Sequence, residues 1–229
     1  MPSRQTSPSV KEIVRTLFIM NKSLFGGFAL MLIIGIVTNF CLNKGELLEF
    51  FSENRHPAWD LFFRYITKTG EEGTYILSIF LFLLFKRRPE ALMVPLTGLL
   101  VTLVSFLSKQ FFQQPRPHEY YKQLGKLAEI NPVEGVSMVK GFSSFPSGHT
   151  MSAFALLMLI AFYSSKEKWR FILFVAALLV GISRVYLAQH FLEDILLGAF
   201  MGLPIAMMVF IGQQKYLPKW KGPGRFTTT

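Results

Sequence analysis

His190 and Asp194 stand four residues apart in His190-Phe-Leu-Glu-Asp194, at the mouth of a long apolar run. A carboxylate at such a place is costly unless it has a partner or a task. On a helix, positions i and i+4 share a face with side chains roughly 6 Å apart. The spacing therefore predicts that His190 stacks over Asp194. A carboxylate behind an imidazole fixes its tautomer and supports positive charge on the ring. That arrangement prepares a histidine for nucleophilic attack or proton transfer. A salt-linked helix end at the headgroup level is the structural alternative.

Other polar residues share this setting. Lys109 lies near the end of an apolar run, and Arg116 follows between Pro115 and Pro117. Ser147, Gly148 and His149 open a further run, and Arg184 closes another. Three cations suit a multiply charged anion: arginine offers a planar fork matched to phosphate oxygens, lysine a mobile point charge. Ser147 suits an N-cap, and Gly148 allows an anion to approach the free N–H groups of a helix start. Two histidines with different surroundings suggest two roles, a neutral His190 attacking phosphorus and a protonated His149 donating to the leaving oxygen. Each residue also has a quieter explanation. Lys109 could snorkel to the interface, Arg116 could stiffen a turn, Ser147 could only cap, and Arg184 could pair with Glu193 or Asp194. A metal set drawn from His149, His190, Asp194, Glu193 or Glu119 is the chemical rival. Three adjacent cations oppose it, and no His-Glu-x-x-His run is present. Neither a metal nor another cofactor is expected.

Apolar runs must position these residues. Hydrophobic residues make up 51% of the 229-residue chain, with 24 phenylalanines, and they concentrate at 24–40, 74–85, 91–112, 149–163, 171–188 and 191–211. At about 1.5 Å per residue the third run reaches roughly 33 Å, enough to cross the hydrocarbon. The second is short and needs residues 70–73 as an outer polar turn, or a locally thinner bilayer. The expected fold is all-α, a six-transmembrane-helix bundle. Four peripheral stretches, 1–23, 86–90, 164–170 and 212–229, hold 14 bases against three acids, while the other face holds 10 bases and 11 acids. The positive-inside rule then puts both termini in the cytoplasm. Every chemistry-bearing helix end falls on the outer face. The net charge of +10 reads as topology and attraction to anionic lipid, not as nucleic-acid binding.

The chain reads as one domain, 1–229, with a core of 24–211 and polar cytoplasmic tails at 1–23 and 212–229. The run 24–40 ends at Asn39-Phe40-Cys41 without a small-x-small cleavage site, so the first span is expected to remain as an anchor. The only cysteine, Cys41, precludes an internal disulfide. In the outer segment 42–73, aromatic residues alternate with charge around Trp59–Ile66 and suggest an interfacial helix. The outer loop 113–146 is rich in Pro, Gly, Glu and Lys and is expected to cover something. Nothing in the sequence sets the oligomeric state.

Three spaced motifs resemble those of the type 2 phosphatidic acid phosphatase family. They are Lys109-Gln-Phe-Phe-Gln-Gln-Pro-Arg116-Pro117, Pro146-Ser147-Gly148-His149, and Ser183-Arg184-Val-Tyr-Leu-Ala-Gln-His190-Phe-Leu-Glu-Asp194. All positions match in order, over 109–194, and the six-span frame extends the likeness to about 24–211. The resemblance implies a membrane lipid phosphatase that needs no metal. His190 would be the nucleophile forming a phosphohistidine, Asp194 would orient it, and His149 would protonate the leaving group. Lys109, Arg116, Ser147, Gly148 and Arg184 would bind phosphate. The implied substrates are undecaprenyl diphosphate, phosphatidylglycerophosphate or phosphatidic acid, with a lipid A phosphate as alternative. The implied location is a bacterial inner membrane with the site outside. A lipid transporter or binding protein retaining the fold is the reading from another class.

Overall fold

The computed structural model describes residues 8–217. Arg4, Lys219, Lys221 and Arg225, four of the bases assigned to the inner face, lie outside the described residues. All regular structure among the described residues is helical, with no strand. The six apolar runs become α2 (Lys22–Cys41), α5 (Glu72–Leu84), α6 (Arg88–Phe112), α8 (Gly148–Tyr163), α9 (Glu167–Tyr186) and α10 (Leu192–Tyr216). Between them lie α3 (Glu46–Glu53), α4 (Pro57–Ile66) and α7 (Pro117–Gln123), and α1 (Val10–Met20) precedes them all. Four helical stretches are long and apolar enough to cross a membrane: Lys22–Cys41, Arg88–Gln123, Glu167–Tyr186 and Leu192–Tyr216. Helices α5 and α8 are apolar but shorter, with 13 and 16 residues.

Helix α1 departs from the expected polar tail. Ser9 and Glu12 form a capping box at its start, which satisfies two of the otherwise unpaired N–H groups. Ile13 and Leu17 share one face at helical spacing and are buried. They pack where α1 meets α10 and α2. The charged face, with Lys11 and Arg15, points away. A short amphipathic helix in a charged leader was masked by its average polarity.

Helix α8 forms the centre of the bundle. Residues Thr150–Leu159 are buried throughout, and the helix packs against α10, α9 and α6. Small residues permit the closest of these contacts. A Cβ on Gly198 would stand 2.6 Å from the Ser147 carbonyl, and one on Gly202 would stand 2.6 Å from that of Met151. Two glycines four apart on α10 thus let two backbones touch. At the upper end of the seam the Ser147 N–H donates to the Asp194 carbonyl at 2.9 Å. The start of α8 is thereby fixed to the start of α10.

The antiparallel order brings the N-termini of α5, α8 and α10 together with the C-termini of α6 and α9. Helices α3, α4 and α7 and the segment after α7 cap that end. Leu48 and Tyr121 pack with Phe191 and Ile195, and Phe63 and Val133 pack with Tyr186 and Leu187. Tyr121 donates to Glu49 at 2.9 Å, and Tyr186 donates to Asp60 at 2.6 Å. The expected helix around Trp59 is α4, with Trp59, Leu61 and Tyr65 exposed. The segment expected to cover something does so: Val133 and Ile130 seal the α9–α10 turn.

Candidate active site

His190 lies in the short turn between α9 and α10, just before the helix begins at Leu192. The expected helical stacking on Asp194 is therefore corrected, although the contact stands. Asp194 is the third residue of α10 and accepts the Phe191 N–H at 2.9 Å, as an N-terminal capping carboxylate does. The same Oδ2 lies 3.1 Å from His190 Nδ1. A carboxylate can only accept, so Nδ1 carries the proton and Nε2 keeps its lone pair. Ser144 adds a third donor to Asp194 Oδ2 and stands 3.4 Å from His190 Nδ1. Both members of the pair are almost wholly buried, at 1% exposure. Burial lowers the His190 pKa to about 4, against the opposing pull of Asp194. The ring is neutral at ordinary pH.

The cations surround this pair. Arg116 is buried, and its Nε donates to Ser143 Oγ while Nη1 donates to the Gln189 carbonyl, both at 3.2 Å. Arg184 is also buried, and Nη1 donates to Thr67 Oγ1 at 2.8 Å. Its carbonyl receives the N–H groups of Gln189 at 2.9 Å and His190 at 3.1 Å. Its Nε is buried with no partner among the described residues. A buried donor of that kind is costly unless an acceptor reaches it. The alternative in which Glu193 holds Arg184 is not seen, since Glu193 pairs with Lys44 at 2.9 Å. Lys109 stands beside Gly148: a Cβ there would lie 3.5 Å from Lys109 Nζ. Ser147 caps α8, accepting from Thr150 N–H at 3.4 Å and Thr150 Oγ1 at 2.9 Å.

His149 opens α8 on the same side, with Nε2 at 3.6 Å from Glu71 Oε1. Four contributors were not legible in the motifs: Thr67, Glu71, Ser144 and Gln189. Thr67 opens the 3₁₀ turn Thr67–Gly70, and Glu71 follows it. Ser144 lies two residues before the Pro146 motif, and nothing in its local spacing marks it. Gln189 precedes His190, and its amide donates to Ser137 and Leu187 carbonyls, both at 3.1 Å. Among the described residues no three His, Cys, Asp or Glu side chains group as metal ligands. The arrangement can bind a phosphoryl group among cations, present a neutral imidazole to it, and offer a second imidazole on the solvent side.

The profile of the PAP2 superfamily matches residues 90–217, more than half of the chain. The chain belongs to the PAP2 superfamily. Most of its relatives carry phosphatase names. It is 28% identical over 176 residues to the lipid A 4'-phosphatase of Porphyromonas gingivalis, covering 73% of this chain and 72% of that one. It is 43% identical over 75 residues to phosphatidylglycerophosphatase B of Bacillus subtilis, covering 29% of this chain and only 37% of the relative. Further PAP2 matches are named undecaprenyl-diphosphatase, from Bacillus subtilis and Sulfolobus acidocaldarius, and bacitracin transport permease protein, from Bacillus licheniformis. Among solved structures, a transmembrane PAP2-type phosphatidylglycerolphosphate phosphatase from Bacillus subtilis matches with TM-score 0.57 and 28% identity. That match covers 89% of this chain and 97% of the other.

Proposed function

We propose that this PAP2 protein is a membrane lipid phosphatase that works through a phosphohistidine on His190 and needs no metal. The observation that carries the reading is the buried His190–Asp194 pair, neutral at its attacking nitrogen and ringed by Lys109, Arg116 and Arg184. In the first step His190 Nε2 forms a bond to phosphorus while the bond to the leaving oxygen breaks. His149 gives that oxygen its proton, and the cations offset charge on the three equatorial oxygens. In the second step water attacks phosphorus, His149 takes its proton, and the P–N bond breaks. Inorganic phosphate leaves, and His190 is again neutral. Asp194 holds the Nδ1–H throughout and supports positive charge on the ring while phosphorus is attached. Gly148 gives the anion close access to the start of α8.

The same proposal places α2, α5, α6, α8, α9 and α10 across the bilayer of a bacterial inner membrane, with both termini inside. Among the described residues, the excess of 10 bases over three acids in 8–23, 86–90, 164–170 and 212–217, at the opposite end, supports an outer site. A lipid headgroup then reaches the histidines while its tails stay in the bilayer. Undecaprenyl diphosphate, phosphatidylglycerophosphate and phosphatidic acid are the substrates this reading favours. The extended match to a lipid A 4'-phosphatase supports a lipid A phosphate as second reading. Apolar walls separate similar chains by only about 1–3 kcal/mol per methylene-sized difference, so a permissive enzyme is expected. The test is phosphate release by detergent-purified protein in excess chelator, across those four lipids and a soluble aryl phosphate. Release from several lipids, at rates well above the aryl ester, is expected. No release from any, or release only after metal is added, would overturn the proposal. A pure transporter would release none.

A further inference from the structure

The two histidines do not share one carboxylate; each has its own. His190 meets Asp194 in a dry pocket, with both side chains 2% exposed. His149 Nε2 meets Glu71 Oε1 at 3.6 Å in an open setting, with side chains 34% and 42% exposed. The chain corner that delivers Glu71 is fitted to this contact. A Cβ on Gly70 would stand 2.7 Å from the His149 carbonyl and 3.1 Å from Val180. Three residues earlier in the same turn, Thr67 receives Arg184 at 2.8 Å. The corner thus touches the backbone of one site helix and the guanidinium of another. Its other charges are Lys68, whose Nζ lies 5.1 Å from the Tyr65 ring centre, and Glu72. At 3.6 Å the contact is an ion-pair distance rather than a hydrogen bond.

We propose that Glu71 is a positioning residue for the leaving-group acid, and that its charge biases the enzyme toward substrates whose leaving group is an uncharged alcohol. The inference rests on the phosphatase reading above. In an in-line displacement the leaving oxygen departs opposite the attacking His190 nitrogen. It departs toward His149, and therefore toward Glu71. A carboxylate there orients the imidazole and supplies a counter-charge when Nε2 carries a proton. The same carboxylate repels a departing phosphate, the leaving group of a lipid diphosphate. Among the substrates of the reading above, this narrows the choice to the phosphomonoesters phosphatidylglycerophosphate and phosphatidic acid, ahead of undecaprenyl diphosphate.

The test compares wild type, Glu71→Gln, His149→Ala and the double variant. The substrates are a prenyl monophosphate, the diphosphate of the same prenol, and a nitrophenyl phosphate. Gln is isosteric, and Glu71 makes no cap hydrogen bond to α5, so the fold is retained. Glu71→Gln is expected to lower kcat/KM on the monophosphate tenfold or more. The nitrophenyl ester, whose leaving group needs little protonation, should lose less than threefold. The ratio of diphosphate to monophosphate kcat/KM should rise at least tenfold. In the His149→Ala background Glu71→Gln should change the monophosphate rate less than twofold. A fall by one common factor on all three substrates, or an unchanged diphosphate ratio, would overturn the inference while the phosphatase reading stood. Wild-type protein inactive on all three, and on phosphatidic acid, phosphatidylglycerophosphate and a lipid A phosphate as well, would overturn both.

Discussion

The two histidines differ most in their surroundings, and the difference can be measured. His190→Ala should abolish the covalent phosphoenzyme and nearly all turnover. His149→Ala should still form phosphoenzyme from a nitrophenyl ester, because that leaving group needs little protonation. Asp194→Asn should keep the fold and lose most of the rate, since the amide no longer stabilises a charged ring. Rapid-quench trapping with labelled substrate checks all three, and stable label on His190→Ala protein would place the nucleophile elsewhere. Burial of neutral His190 also has a pH signature. Its pKa is lowered to about 4 in the fold, against about 6.5 in an unfolded chain. Between those values the unfolded state binds more protons, so stability falls as pH falls through that window. The loss is on the order of 3 kcal/mol at most. Thermal unfolding in detergent from pH 7.5 to 4.5 should show a smaller drop in Tm for His190→Gln than for wild type. The motif residues were legible because three separated patterns converge on helix ends. The error concerning His190 came from the chain itself: the helix starts two residues later, and Asp194 reaches back as a cap.

At the scale of elements, the corner Thr67–Gly70 bears more of the site than its sequence suggests. An alanine at Gly70 must displace the His149 backbone or move the corner, because its Cβ would meet that carbonyl at 2.7 Å. Overpacking of this kind costs typically about 1–3 kcal/mol. Gly70→Ala should lower kcat/KM tenfold or more with a Tm loss of a few degrees, whereas alanine at Gly26, which faces open space within α2, should cost activity nothing. Steady-state rates and thermal melts on the two variants decide it. Six helices were legible as apolar runs, since hydropathy survives averaging over a span. Helix α1 was not, because Ile13 and Leu17 form a single narrow face among charges. Ser144, Thr67 and Glu71 were equally hidden. Glu71 lies 78 positions before His149 in the chain, and only the packing of α4, α5 and α9 brings that corner to the site.

At the scale of the whole molecule, orientation follows from charge and can fail cleanly. On a Cys41→Ser background, a cysteine at Glu129 should react with an impermeant thiol reagent added outside cells, and one at Glu167 should not. The reverse pattern would turn the site toward the cytoplasm. Charge asymmetry is a global property of the chain and is read from the sequence, whereas of the six expected spans four are helices long and apolar enough to cross a membrane. The identity of the lipid is not global in that sense: it depends on the walls of α6 and α10 and on the cap of α3, α4 and α7. The gathering of Lys109, Arg116 and Arg184 has a further consequence for the fold as a thermodynamic object. Their mutual repulsion opposes folding, with Asp194 offsetting it at Lys109 and Arg116 and Glu71 at Arg184. Any tetrahedral oxyanion that enters relieves the repulsion, so the reaction product is itself a folding ligand. By mass action its stabilisation is RT ln(1 + [L]/Kd), about 2.7 kcal/mol at a hundredfold excess over Kd. Inorganic phosphate should raise Tm in the wild type and raise it much less in Arg184→Met, and over the same concentration range it should inhibit turnover competitively. With the site outside, as proposed, a cell rich in external phosphate would hold a more durable but slower enzyme.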